Sequence, residues 1–289
     1  MLDGLRRLAK GFFWGSRLKI WFFKTIFLDD CPKKNLPAEL AKHPYSSPSL
    51  KKLEILHQDQ DLLIVNKPPN YLSIPDRFDA TKPNLLGYLR MSFEEVLAVH
   101  RLDKETSGVI CFARNTQAHK NLNKQFQDRT VSKLYWVLAD GLVEPEQGLI
   151  EKAIAPHPTI SGKMMVSNRG KTSITSYRVL EHFKQFSLIE VAIKTGRTHQ
   201  IRVHLESIGF PLMVDKFYGV RKEFFVSQIK SKKFRLGKDQ VERPLLSRSS
   251  LHSYQLTLTQ PTTKEAITFQ ASPPKDFQAV LKQLQKWNK

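Results

Sequence analysis

Apolar residues in this chain come in short runs, each ended by a turn signal, and that spacing restricts it to a fold rich in short strands. Leu62 to Asn66 is stopped by Lys67-Pro68-Pro69, and Tyr71 to Pro75 follows as a loop or edge segment. Val109 to Ala113 reads as a buried strand, and Lys133 to Asp140 as another ended by Asp140-Gly141. Ser173 to Leu180 and Ser187 to Ile193 are linked through His182 to Gln185, which is hairpin spacing. Tyr254, Leu256 and Leu258 alternate with polar residues, as do Ile267 and Phe269, giving a final pair. Helical spacing is confined to three places. Ala118, Leu122 and Phe126 follow a cap at Asn115 or Thr116; Ile201, Leu205 and Ile208 share one side, with Arg202 on another; Phe277, Val280, Leu281, Leu284 and Trp287 form a stripe on Asp276 to Trp287. Strands joined by short turns, with few helices, imply an α+β fold on a largely antiparallel sheet. No internal repeat is present.

A formal charge of +19, from 46 Lys and Arg against 27 Asp and Glu, sets up self-repulsion that a polyanion relieves, so nucleic acid is the expected partner. Cys31 and Cys111 are too few for a disulfide framework or a zinc finger, and Cys111 lies in an apolar run where a thiol behaves as a small hydrophobe. A reducing cytoplasm is the expected compartment. Near the N-terminus Arg6, Arg7, Lys10, Arg17, Lys19 and Lys24 alternate with Phe12, Phe13, Trp14, Trp21, Phe22, Phe23 and Phe27. That interleaving never gives a transmembrane run or a secretory core. It reads either as an arm that touches RNA or a membrane surface or as an extension without a packed fold. Pro32 to Pro48 reads as a linker. Residues 1–50 are therefore expected to be a basic aromatic extension, and residues 51–289 the catalytic domain.

Four motifs carry the chemistry. His100 to Gly108 reads HRLDKETSG and sets Asp103 between Arg101 and Lys104, cations that favour its ionised form if the side chains converge. Lys194 to Gly219 reads KTGRTHQIRVHLESIGFPLMVDKFYG, and LLIVNKPP (Leu62 to Pro69) and KLYWVL (Lys133 to Leu138) complete the set. Together and in this order the motifs closely resemble those of the RluA family of pseudouridine synthases, from about Leu53 to the C-terminus.

The resemblance implies a central, mostly antiparallel mixed sheet with flanking helices and a cleft that binds structured RNA. It implies that Asp103 is the catalytic aspartate, as nucleophile or as base, that Arg202 pairs with it, and that Tyr135 lies against the target base. A guanidinium can grip a carboxylate through two parallel hydrogen bonds. Arg101 matches the residue that fills the place vacated by the extruded nucleotide. Arg197, Lys67, His100, Thr198 and His199 complete the expected RNA contacts, with Lys67 either structural or phosphate-facing.

Pseudouridine is an isomer of uridine, so no oxidant, energy source, cofactor or metal is expected, and the chain has no Walker-type loop or dinucleotide fingerprint. His199 and His204 are spaced off a single helix face, so hydrogen-bonded structure or RNA contact is expected rather than metal binding. The basic segment Arg221 to Arg248 reads as an insertion, either on RNA backbone or as a solvated loop. Ser249 and Ser253 stand where the family commonly has a small apolar residue and Ala. No additional RNA-binding domain of the S4 kind is recognisable. The expected substrate is large-subunit (23S) ribosomal RNA, with transfer RNA or an inactive RNA-binding protein of the same fold as alternatives. The protein is expected to be a monomer with no obligate protein partner.

Overall fold

The computed structural model describes residues 26–27, 53–79, 81–230, 234–235, 237 and 241–288. The N-terminal arm, the linker and Cys31 lie outside them, except for Ile26 and Phe27. Thirteen strands and five helices are described in chain order: β1 (Ile26–Phe27), β2 (Glu54–Gln58), β3 (Leu62–Lys67), α1 (Leu85–Arg90), β4 (Leu97–Ala98), β5 (Ser107–Ala113), α2 (Thr116–Gln127), β6 (Ser132–Asp140), β7 (Gln147–Glu151), β8 (Ile154–Pro156), β9 (Met164–Val166), β10 (Ile174–His182), β11 (Phe186–Ile193), α3 (Gln200–Glu206), α4 (Ser227–Lys230), β12 (Leu251–Thr259), β13 (Ala266–Gln270) and α5 (Lys275–Trp287). Eleven strands form one sheet, with main path β1-β2-β3-β5-β12-β6-β11-β10-β7; β4 and β13 pair at its sides, and β8 and β9 form a separate ribbon. Every described pairing is antiparallel except β5 with β12. The expected α+β, largely antiparallel architecture is what is found.

The β5–β12 junction joins the two halves of the sheet, and it is tight. Gly108 faces Ser253 with φ at 112°, and a Cβ on Gly108 would lie 2.1 Å from the Ser253 carbonyl oxygen. Only glycine fits there. Ser253 and Ser249, the two departures from the family pattern, both have work in the fold. Ser253 Oγ donates to the Val109 carbonyl at 3.1 Å, and Ser249 ties its N–H and hydroxyl to Glu105 Oε2 at 2.8 and 3.0 Å.

The helices close the two faces of the sheet. Asn115 caps α2 through its side chain, as its sequence position predicts, and Ala118 and Leu122 bury against Ile64, Cys111 and Leu256. On α5, Phe277, Val280 and Leu284 pack on Leu138, Phe186 and Phe224. Phe224 and Leu246 are fully buried and bridge each other, so the segment Arg221 to Arg248 is partly core rather than a wholly solvated loop. Its two flanking arginines are spent internally, Arg221 on Asp140 and Arg248 on Asp276.

Candidate active site

Asp103 lies in the loop between β4 and β5, one-quarter exposed, and buried cations hold that loop from beneath. Lys67 donates its ammonium to the carbonyls of Pro68, Lys104 and Thr106 at 3.1, 3.1 and 2.7 Å. Arg248 donates to the Glu105 carbonyl at 3.1 Å, and Ser73 Oγ bonds both the N–H and the C=O of Leu102. Carbonyls on three consecutive residues are thus captured from inside, which fixes where the Asp103 carboxylate points. Lys67 has no exposed surface and its ammonium is spent on these carbonyls, which fits the structural alternative of the two expected for it. Burial, with Arg248 adding to it and Asp103 opposing, pulls its pKa down to about 7.

Arg202 comes from α3, whose entry is bolted down by Gln200. The Gln200 side chain accepts from Thr195 Oγ1 and the Arg197 N–H at 2.7 and 3.0 Å, and donates to Ile174 and Thr175 of β10. Ile201 and Leu205 bury in the core, as their spacing predicts, while Arg202 turns inward beside them. Its bidentate partner is Asp215, through Nε at 2.6 Å and Nη2 at 2.8 Å. The remaining Nη1 reaches Asp103 Oδ2 at 3.6 Å, an ion pair longer than a hydrogen bond. The pairing of Arg202 with Asp103 is therefore present, but the two-pronged grip expected of it belongs to Asp215. The reason is geometric. Asp215 is fully buried, and the N–H groups of Phe217 and Tyr218 also donate to its carboxylate, so it fixes two edges of the guanidinium and leaves one for the pocket.

Tyr218 extends this network. Its ring lies 5.0 Å from the Arg202 guanidinium carbon, and its hydroxyl oxygen accepts from the Met164 N–H at 2.8 Å and contacts His199 Nδ1 at 2.9 Å. Burial pushes the Tyr218 pKa up to about 12, so the phenol keeps its proton, and His199 Nδ1 is the acceptor beside it. His199 stands in the left-handed region at φ 55° ahead of α3, which turns its Nε2 to within 3.9 Å of Asp103 Oδ2. Burial holds its pKa below the usual imidazole value despite Asp103, so the ring is neutral at pH 7 and presents Nε2–H to the carboxylate.

Tyr135 enters from β6, opposite Ser253 on β12, and is nearly buried. Burial raises its pKa, so it too remains protonated. Asp103, Arg202, Tyr135 and His199 line one pocket of about 130 Å³, whose wall also includes Arg101, Thr198 and Arg197. Arg101 and Thr198 are exposed, and Arg197 Nε is buried with no hydrogen-bond partner among the described residues. His100 also lines the pocket, and its ring is held within the fold. Its Nε2 accepts from the Cys111 N–H at 3.0 Å, its ring stacks on Phe126, and burial drives its pKa to about 3. His204 points away, bonded to Thr175 and Lys152. Asp215, Tyr218 and the buried Lys133 are the site residues that sequence reasoning passed over, although the first two lie inside the quoted MVDKFYG segment.

The pocket thus sets one carboxylate among several cations, beside the seam of a mixed sheet. Comparison with known proteins supplies the class. Residues 61–207 match the family described as RNA pseudouridylate synthase. An uncharacterised RNA pseudouridine synthase of Aquifex aeolicus is 35% identical over 79% of this chain and 72% of its own length. A protein of Haemophilus ducreyi named ribosomal large subunit pseudouridine synthase D is 32% identical over 86% of this chain and 76% of its own. Among solved structures, human RNA pseudouridylate synthase domain containing 4 superposes with a TM-score of 0.61 at 25% identity, covering 80% of this chain and 92% of that one. Human RNA pseudouridylate synthase domain containing 1 gives 0.58 at 29% identity, covering 77% and 84%. The chain belongs to the RluA-like family of RNA pseudouridine synthases, isomerases that act on RNA. Among the described residues no helix is long and apolar enough to cross a membrane.

Proposed function

We propose that this protein isomerises specific uridines in large-subunit ribosomal RNA, with Asp103 starting the reaction, Arg202 holding it ionised and Tyr135 against the uracil. The observation that carries this reading is the convergence of all three on one pocket, with Arg202 Nη1 3.6 Å from Asp103 Oδ2. A uridine in folded RNA has to leave its stack to meet a carboxylate set in a pocket, at a cost of a few kcal/mol. Arg101 is the residue proposed to fill the gap, a reading supported by its exposure and its position in the pocket lining together with Arg197 and Thr198.

The bond between C1′ and N1 breaks, the uracil turns, and a bond from C1′ to C5 forms. The proton on C5 is lost and N1 gains one, so atoms and electrons balance without a co-reactant. Asp103, as nucleophile or base, acts on the sugar. The C5 proton needs a carrier after the new bond forms, and the protonated Tyr135 hydroxyl can serve only as a relay, accepting that proton at its oxygen while it passes its own on to the pocket carboxylate or to solvent. The neutral His199 and the cationic Arg202 favour the ionised Asp103 carboxylate before it reacts and when it is released.

The ribosomal target is supported by relatives named for the large ribosomal subunit in Haemophilus ducreyi and Neisseria meningitidis. Mapping pseudouridines in cellular RNA with and without the gene tests it. The proposal expects a lost site in large-subunit ribosomal RNA; a lost site in transfer RNA alone would reassign the substrate.

A further inference from the structure

Two lysines are buried at the site, and they are treated differently. Lys67 gives its ammonium to three carbonyls, as described above. Lys133, two residues before Tyr135 on the same face of β6, is only 9% exposed and lines the pocket, yet among the described residues its ammonium has no hydrogen bond and no ion pair. The ammonium lies over the face of Phe126, with Nζ 5.8 Å from the ring centroid. The charged neighbour is a second cation, the exposed Arg129, and the adjacent His100 is neutral. Burial and Arg129 both work against the charge on Lys133, lowering its pKa. The side chain is largely buried while its ammonium is not sealed off from the pocket, so a cation without an anion is left where a ligand's charge can meet it.

We propose that Lys133 is a phosphate-binding residue that, with Arg129 beside it, receives an RNA backbone phosphate next to the nucleotide entering the Asp103 pocket. The proposal rests on the RNA-modifying reading of that pocket and assigns one anchor within it. An ammonium is a compact point charge suited to a phosphate oxygen, and the second cation deepens a field that a neutral uracil carbonyl does not require.

The test replaces Lys133 by Met and, separately, by Arg and Gln in the full chain. It measures Tm and the affinity for a short oligouridylate across a salt series, which runs whether or not that RNA is modified. For Lys133→Met the proposal expects an unchanged or raised Tm, roughly tenfold weaker binding at low salt, and a log–log salt slope shallower by about 0.7. Lys133→Arg should keep the slope, and Lys133→Gln should lose it, which covers a Met variant that folds poorly. Unchanged affinity and slope, with or without a lowered Tm, would show that Lys133 only supports the fold. Weakened binding at an unaltered slope would point to a base carbonyl instead. Either result overturns the assignment. Absence of isomerisation by the wild-type protein would count against the catalytic reading and leave this binding comparison intact.

Discussion

Asp215 holds Arg202 by two edges of its guanidinium, at 2.6 and 2.8 Å, and so determines which single N–H group faces Asp103. The Asp103 carboxylate thus meets a cation that is itself oriented by a fully buried acid. Asp215→Asn should leave Arg202 underpaired in a buried setting, costing about 3 to 5 kcal/mol of stability. Arg202→Lys keeps the charge but cannot span both oxygens of Asp215 while reaching Asp103. Its turnover should fall by roughly 100-fold or more, as for loss of a preorganised charged donor. Single-turnover isomerisation alongside thermal unfolding separates the two effects.

Tyr135→Phe keeps the ring and removes the hydroxyl. RNA binding should persist, while the rate falls roughly 100-fold if the phenol assists proton transfer at C5. A product assay run beside a filter-binding measurement checks this. An equally weakened affinity would show that the hydroxyl serves binding.

Tyr218→Phe removes the acceptor for Met164 N–H and the donor to His199 Nδ1. The imidazole then loses the bond that fixes its tautomer, and activity should drop roughly tenfold with little change in RNA affinity. The change should also loosen the β8–β9 ribbon, visible as faster amide exchange at Met164.

Lys67 gives a pH signature. Its native pKa near 7 lies below its unfolded value near 10.4, so between those pH values the unfolded chain binds a proton that the native chain does not. The Lys67 contribution to stability therefore rises as pH increases through that window, by at most about 1.4 kcal/mol per pH unit. Comparing urea unfolding of the wild type and Lys67→Met from pH 6 to pH 9 isolates this slope, since other titrations cancel. A flat difference would mean that the three carbonyls keep Lys67 charged throughout.

The central strands were legible because their burial is written locally. VICFA in β5 is a continuous apolar run, and the structure buries every residue of that strand. The cap at Asn115 and the stripe on α5 were equally plain. The segments β7, β8 and β9 are short or interrupted by glycine and polar residues, and α1 has Gly87 at its centre, so none shows a period long enough to register. At the site, Asp103, Arg202 and Tyr135 came from motifs. What fixes them did not, because the Lys67 bonds to the Asp103 loop span 37 and 39 residues and the Arg248 bond to the same loop spans 143. Such pairings are set by sheet order, and no window of sequence contains them.

The reaction is proposed to start at the Asp103 carboxyl group, so the most direct measurement follows Asp103→Asn on an RNA that the wild-type protein modifies. Asn matches Asp in shape and leaves the loop bonds of Lys67, Arg248 and Ser73 in place. The expected result is complete loss of pseudouridine formation with RNA affinity within roughly threefold of wild type, since a single partly buried charge contributes little to polyanion binding. Substantial isomerisation by the Asn variant would contradict the assignment and move the chemistry to another residue.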